Sequence, residues 1–291
     1  MIALTVPVSP TAYMNLRGGF LFDAFPGIWP DLFRLSVEER KERFRDPATR
    51  QQMADDVDGM NPAAPLRTLA QLDNFIVSSV VSDKNSKYVG RKTGEIAAEE
   101  GRTPIDVMLD MALEDDLNTV FVPDNSADNA ETFALRGKVW HDDRSLIGAS
   151  DAGAHLDLID TFAFSTSLLE LGVRKFGVIT LEEAVHQITG RIATYFGLID
   201  RGVLAPGNHA DVVIFDAATV GRGPTIAKHD LPGGNDFRLY ADALGVDHVI
   251  VNGVEIVRDG THTGKLPGKV LRSGKDTRTV ALDALREPEA A

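Results

Sequence analysis

Cysteine is absent from these 291 residues. That removes disulfides, thiol catalysis, cysteine zinc sites and iron–sulfur clusters at one stroke. No window approaches the ~18 consecutive apolar residues of a membrane-spanning helix. The opening MIALTVPVSP has neither the basic lead-in nor the cleavage site of a signal peptide, so the expectation is a cytoplasmic protein. Positive charge is scarce: 30 bases face 43 acids, a formal charge of −13. A nucleic-acid backbone wants a basic footprint, so general DNA or RNA binding is not expected. Histidine is sparse at seven residues, with no H-x-H and no H-E-x-x-H. What is present is the composition of a globular protein, 43% hydrophobic and 25% charged, long enough for one large domain or two small ones at ~100–200 residues each.

Ile2 to Val8 is apolar or β-branched at almost every position and predicts a buried strand. Such a beginning is either an edge strand that starts early or the sign that residues upstream are missing. Phe20 to Trp29 is an aromatic loop that can either line a pocket or plug a core. Ser36-Val-Glu-Glu39 reads as a capping box, and Asp46-Pro47 as a helix start with Pro in the first turn. Phe75–Val81 predicts a strand. Thr103-Pro104 opens a helix with Ile105, Met108, Leu109, Ala112 and Leu113 on one face. A strand over Ser145–Ser150 then runs into Asp151-Ala-Gly-Ala-His155. A second capping box, Thr180-Leu-Glu-Glu183, predicts one helix carrying Leu181, Val185, Ile188, Ile192 and Phe196 to its end at Gly197. Beyond it the texture is all strand: a turn at Ala205–Gly207, a strand over Asp211–Asp216, a Gly/Pro-rich loop over Gly221–Gly234, and a hairpin signalled by Asn252-Gly253. The order predicts an α/β part followed by a small all-β part. The tail Arg286–Ala291 reads as frayed.

Chemistry concentrates at GASDAGAH, residues 148–155, where a strand ends among small residues. In parallel α/β proteins the carboxyl ends of strands face the ligand crevice. Three readings stay open on the residues alone. Asp151 is a catalytic carboxylate or metal ligand. Or Gly148-Ala-Ser150-Asp-Ala152 is a nucleophile elbow, with His209, His229 or His248 as base. Or Asp151 caps a helix and the small residues let backbones pack. Asp151 and His155 would be two ligands at most, short of the three protein ligands of a catalytic zinc. His141-Asp142-Asp143 reads as a solvated turn and His186 as structural. Gly260–Lys265 lacks the spacing of a phosphate loop. Arg91 and Lys92 are basic neighbours in a loop, able to meet a substrate carboxylate but more often merely solvated.

GASDAGAH, PGNHADVVIFD at 206–216 and VNGVEIVRDGTHTGKLPGKVLRSG at 251–274 together resemble the C-terminal half of the amidohydrolase superfamily, in its N-acyl-D-amino-acid deacylase branch. The stretch 85–121, NSKYVGRKTGEIAAEEGRTPIDVMLDMALEDDLNTVF, resembles the same branch. The resemblance implies the C-terminal part of a metal-dependent (β/α)8 barrel over 1–197, with an insertion around 30–140. It also implies a small β-sandwich over 198–280 and a tail at 281–291. It implies zinc, which lowers the pKa of bound water to ~7, and an Asp at the end of the eighth strand that contacts the metal and takes the water's proton. Asp151 matches that position, with Ser150, Gly153 and His155 beside it as candidate substrate contacts. The implied substrate is an N-acyl-D-amino acid or a related amide, with no nucleic acid or membrane as partner. A cyclic-amide or imidase-type hydrolase, or a non-catalytic remnant or subunit, is the alternative. The family's other ligands should precede Asp151, yet the residues before it hold one histidine, His141. The expectation is therefore a truncated or split C-terminal portion, inactive alone, whose partner is the missing N-terminal half.

Overall fold

A computed structural model describes residues 2–64, 66–124, 128–151, 153–232 and 237–281. The chain divides into two units. One holds Thr11–Ser126 with Asp157–Ile159; the other holds Met1–Pro10, Ala127–Leu156 and Asp160–Ala291. The first strand, β1 (Ala3–Thr5), belongs to the second of these. It is shorter than the buried strand expected over Ile2–Val8, and Leu4 is 55% exposed. β1 lies in a sheet of two strands, so one edge and much of its surface stay uncovered; only toward Val8 does the stretch sink inside.

In the Thr11–Ser126 unit, β2 (Met14–Asn15) leads into the aromatic loop. Phe22, Phe25 and Trp29 are fully buried; Phe22 stacks on Trp29 at 5.7 Å, and Phe25 meets its edge at 5.2 Å. The indole N–H donates to Met53 O at 3.0 Å. The loop is thus a core plug, and only Phe20 stays outside. Three helices follow: α1 (Trp29–Arg34), α2 (Val37–Arg45) and α3 (Pro47–Asp58). Both halves of the Ser36 capping box form, and Asp46 caps α3 with Pro47 in its first turn. Inside this group Arg40, 5% exposed, donates to the carbonyls of Leu16, Arg17, Leu32, Phe33 and Leu35 and lies 4.6 Å from the Phe33 ring centre. β3 (Phe75–Ser79), α4 (Thr93–Glu100), α5 (Pro104–Glu114) and β4 (Val120–Pro123) complete the unit, with β4 between β2 and β3 in an antiparallel sheet. α5 buries Ile105, Met108, Leu109 and Ala112 as expected, while Leu113 is half-buried. Arg91 pairs with Glu99 at 2.6 Å, and Lys92 with Asp124 at 2.6 Å. Both cations are therefore engaged within the unit.

The other unit resumes at α6 (Ala130–Trp140), capped by Asn129, and β5 (Ser145–Ile147). β5 runs parallel to β1, with Ala3 opposite Ser145 and Thr5 opposite Ile147. A short helix α7 (Phe164–Ser167) continues into wider π-type turns over Leu168–Lys175. The single helix expected from Thr180 to Gly197 is broken into α8 (Leu181–Ile188) and α9 (Gly190–Tyr195). At the break, Thr189 Oγ1 donates back to Val185 O at 2.6 Å, a bond that bends helices, and the next residue is glycine. Phe196 consequently leaves the apolar stripe and is exposed. Only half of the second capping box forms. Glu183 N donates to Thr180 Oγ1, but the Glu183 carboxylate accepts from Gln187 instead of reaching back.

Strands then follow alone: β6 (Val212–Phe215), β7 (Gly221–Arg222), β8 (Ile226–Lys228), β9 (Arg238–Tyr240), β10 (Ala243–Leu244), β11 (Val246–Val251), β12 (Val254–Arg258) and β13 (Thr261–His262). They form a four-stranded sheet in the order β13-β12-β11-β6 and the pairs β7–β10 and β8–β9. Asn252 and Gly253, at φ +47° and +76°, make the tight turn their dipeptide predicts. The Gly/Pro-rich loop carries β7 and β8; its Gly233 and Gly234 lie outside the described residues, as does the tail Arg286–Ala291. The fold is mixed α/β. Among the described residues the parallel strands are β1 and β5, which close no barrel, and no helix is long and apolar enough to cross a membrane.

Several carboxyls sit below their ordinary range, each through a named bond: Glu39 through the Ser36 hydroxyl, Asp116 through Lys41, Asp142 through Arg144, Asp230 through Arg238 and Glu255 through Arg258. A depressed carboxyl adds stability in full above its unfolded value, about 3.9 for Asp and 4.3 for Glu, and loses it as pH falls toward the folded value. The urea midpoint should therefore hold level from pH 7 to 5 and fall between pH 4 and 2. A midpoint that rises on acidification below pH 4 contradicts this.

Candidate functional site

The parallel ladder does not stop at β5. Gly148 N donates to Thr5 O at 3.1 Å, and Ala149 N reaches the same oxygen at 3.4 Å. Ser145, Leu146 and Ile147 are buried, so the strand is anchored in the core while the chain beyond it emerges. The Ser150 carbonyl accepts a hydrogen bond from the Thr161 hydroxyl. Asp151 follows at φ +49°, exposed, with its own carbonyl accepting from Ala154 N at 3.0 Å. Positive φ is uncommon outside glycine, and aspartate is among the side chains that tolerate it. Gly153 at φ +100° and His155 at φ +51° complete the turn, both exposed.

This geometry revises two of the three readings. Asp151 caps no helix: the next helical turn begins at Thr161. Close backbone packing does not explain the glycines either, since a methyl group added at Gly148 or Gly153 would meet nothing within 4 Å; Gly153 is explained by its φ. A nucleophile elbow requires strand, sharp turn and helix in immediate succession. Here Ser150 is followed by turns rather than by a helix, and Ala152 lies outside the described residues. His248 Nδ1 lies 2.8 Å from Glu255 Oε1, and the His229 ring packs 5.7 Å from that of Phe237. The remaining arrangement is a carboxylate presented at the carboxyl end of a parallel strand.

His141, Asp142 and Asp143 form the turn expected of them. His141 Nδ1 is 2.6 Å from Gly137 O, and Asp142 pairs with Arg144 at 2.6 Å. Among the described residues, no three His, Asp or Glu side chains gather as a metal-binding group. Asp151 by itself does not fit a zinc ion, which takes three or four converging ligands.

No local spacing points to a second carboxylate, Asp160, which is 1% exposed. It pairs with Arg222 Nη1 at 2.6 Å and accepts from Thr225 Oγ1 at 3.3 Å. Leu239 N of β9 donates to Leu156 O at 2.7 Å. These partners lie more than sixty residues downstream, beyond the reach of any local motif. Elsewhere in this unit an apolar groove of about 740 Å³ lies among residues of α8, α9, β6 and β11, with Arg201 and Asp211 at its lining.

The model of the amidohydrolase family matches residues 45–257. An N-acyl-D-aspartate deacylase of Alcaligenes xylosoxydans xylosoxydans is 37% identical over 110 residues, 38% of this chain and 20% of the relative. An N-acyl-D-glutamate deacylase of the same organism is 40% identical over 42% of this chain and 22% of the relative. Its D-aminoacylase is 30% identical over 62% of this chain and 34% of the relative. The chain thus spans between a fifth and about a third of the length of these curated relatives. A crystal structure of a D-aminoacylase superposes on 66% of this chain with a TM-score of 0.40 at 27% identity. Since the family match covers well over half of its residues, the chain belongs to the amidohydrolase family.

Proposed function

We propose that this chain is the catalytic-aspartate portion of a zinc-dependent hydrolase acting on amide bonds other than peptide bonds, with N-acyl-D-amino acids as substrate class. In this reading residues 1–197 carry the last strands and helices of a (β/α)8 barrel with an insertion around 30–140, and 198–280 form a small β-sandwich. The observation that carries it is the position of Asp151, exposed directly beyond the parallel strand β5. The names of the relatives, deacylases of N-acyl-D-aspartate and N-acyl-D-glutamate, support the substrate class.

Asp151 takes the proton of the attacking water and afterwards gives it to the departing amine. Ser150, Gly153 and His155 border the acyl group, the turn at Gly153 leaving open space for it. Zinc, were further ligands to hold it beside Asp151, would supply a water acidic enough to ionise near neutral pH. Among the described residues no group of three ligands gathers around Asp151, so in this reading further ligands, on the same or a separate chain, would have to join it.

Two measurements test this. The chain alone should retain well under one zinc per molecule after dialysis, because affinity comes from several converging ligands. One tightly held zinc per chain contradicts that, and His155, His141 and Asp143 would then be the ligands to substitute first. Second, in a preparation that includes the missing ligands, Asp151→Asn and Ser150→Ala are compared on N-acetyl-D-amino acids. The proposal requires a collapse of turnover in the first and a far smaller loss in the second.

A further inference from the structure

The carboxylate of Asp160 is as buried as any core side chain, yet it stands nine residues after Asp151 and close behind the exposed stretch 153–157. Its partners come from the strand region after β6. Arg222 Nη1 binds Asp160 Oδ2 at 2.6 Å, and Thr225 Oγ1 approaches the same oxygen at 3.3 Å. Arg222 is itself held in place. Its backbone N–H donates to Glu170 Oε2 at 3.0 Å, and Arg174 Nη1 donates to Val220 O at 2.6 Å. Gly221 packs so closely on Glu170 that an added methyl would lie 2.8 Å from its carboxylate. On the other side of Asp160, the next residue Thr161 donates its hydroxyl to the carbonyl of Ser150, the residue before Asp151.

We propose that Asp160 and Arg222 form a clamp by which residues 220–225 fix the loop that presents Asp151, making both positioning residues for that carboxylate. The inference rests on Asp151 being the working group of the site. The relay runs from the helical turns at Glu170 and Arg174 to Arg222, through the ion pair to Asp160, and through Thr161 to Ser150. The physics favours a holding role. A buried carboxylate is costly unless paired, so removing the guanidinium takes away the cation that faces this charge and favours movement of Asp160 toward water, and of Thr161 with it. Asp151 holds a positive φ that few residues adopt, and such a conformation persists only where its surroundings impose it. The Thr161 bond one residue away is such a constraint. Reaction rates are sensitive to it, since ~1 Å of misplacement can cost on the order of 10²-fold.

The test uses the chain as it stands and needs no activity. Amide hydrogen exchange is followed over residues 148–156 in Arg222→Met, Arg222→Lys and Thr161→Val, together with the NMR signal of the 13C-labelled Asp151 carboxyl. Arg222→Met should speed exchange in 148–156 by about tenfold or more, leave Thr11–Ser126 unchanged, and shift the Asp151 signal. Arg222→Lys, which keeps the charge but not the fork, should recover part of the protection. Thr161→Val cuts the relay beyond the ion pair and should loosen the same residues; it decides the matter if Arg222→Met fails to fold. Unchanged exchange over 148–156 in Arg222→Met, or loosening spread evenly over the whole unit in Thr161→Val, overturns the clamp. Failure of the catalytic reading would appear separately, as turnover surviving Asp151→Asn while these exchange results stand.

Discussion

Asp151→Asn should abolish turnover in the ligand-complete enzyme, with a loss of at least about 10²–10⁴-fold, the usual worth of a general acid–base group. The substitution is the right one because of the backbone. Asp151 sits at φ +49°, and asparagine is the residue that tolerates this region as readily as aspartate. Alanine there would add strain and confuse loss of chemistry with loss of the turn. Asparagine keeps size, conformation and one oxygen, but cannot carry a proton from water to amine. The melting temperature should therefore be unchanged while kcat collapses. Ser150→Ala is the control. The Ser150 carbonyl that accepts from Thr161 is retained by alanine, so kcat should fall far less. The opposite pattern, an active Asn variant and a dead Ala variant, would restore a serine nucleophile at the centre of the site.

Arg40→Ala should be the most damaging single change to the Thr11–Ser126 unit. The guanidinium answers five backbone carbonyls that converge from the loop before the aromatic plug, from α1 and from the turn into α2. Burial lowers its pKa from the ordinary arginine value, and no carboxylate appears among these partners. Alanine would leave several acceptors buried without a donor, each costing ~1–3 kcal/mol. A loss of at least about 3 kcal/mol follows, or about 10 °C in the melting temperature of a unit this size. Arg40→Lys should rescue only in part, since an ammonium has three donors and no planar fork. Calorimetry of the three proteins reads this directly, and an Arg40→Ala transition within about 2 °C of the parent, roughly 0.5 kcal/mol, contradicts it.

Local chemistry was legible in the sequence at three places decided by neighbours in the chain. The Ser36 box, the Asp46-Pro47 start and the Asn252-Gly253 turn all formed as read, because each depends on two to four consecutive residues. Proximity did not always suffice: only half of the Thr180 box formed, and the apolar stripe of that helix carries no account of Thr189 bonding back to Val185. Features set by distant partners were not legible. Ile2–Val8 looked buried because its composition is apolar, whereas burial depends on how many strands flank it. The carboxylate at the end of β5 could be singled out because strand, small residues and Asp occur together. The ion pair behind it could not, because Asp160 and Arg222 meet only in the fold.

The central claim is that the Asp151 carboxylate works on the attacking water at the end of β5. It is tested most directly by a crystal structure of this chain together with its metal-ligating sequence, bound to a phosphonate analogue of N-acyl-D-amino-acid hydrolysis. The account predicts an Asp151 carboxylate oxygen within hydrogen-bond reach, about 2.6–3.2 Å, of the phosphonate oxygen that stands for the water, with Ser150 Oγ unbonded to phosphorus. An Asp151 carboxylate turned away from that oxygen, with another side chain in its place, would contradict it.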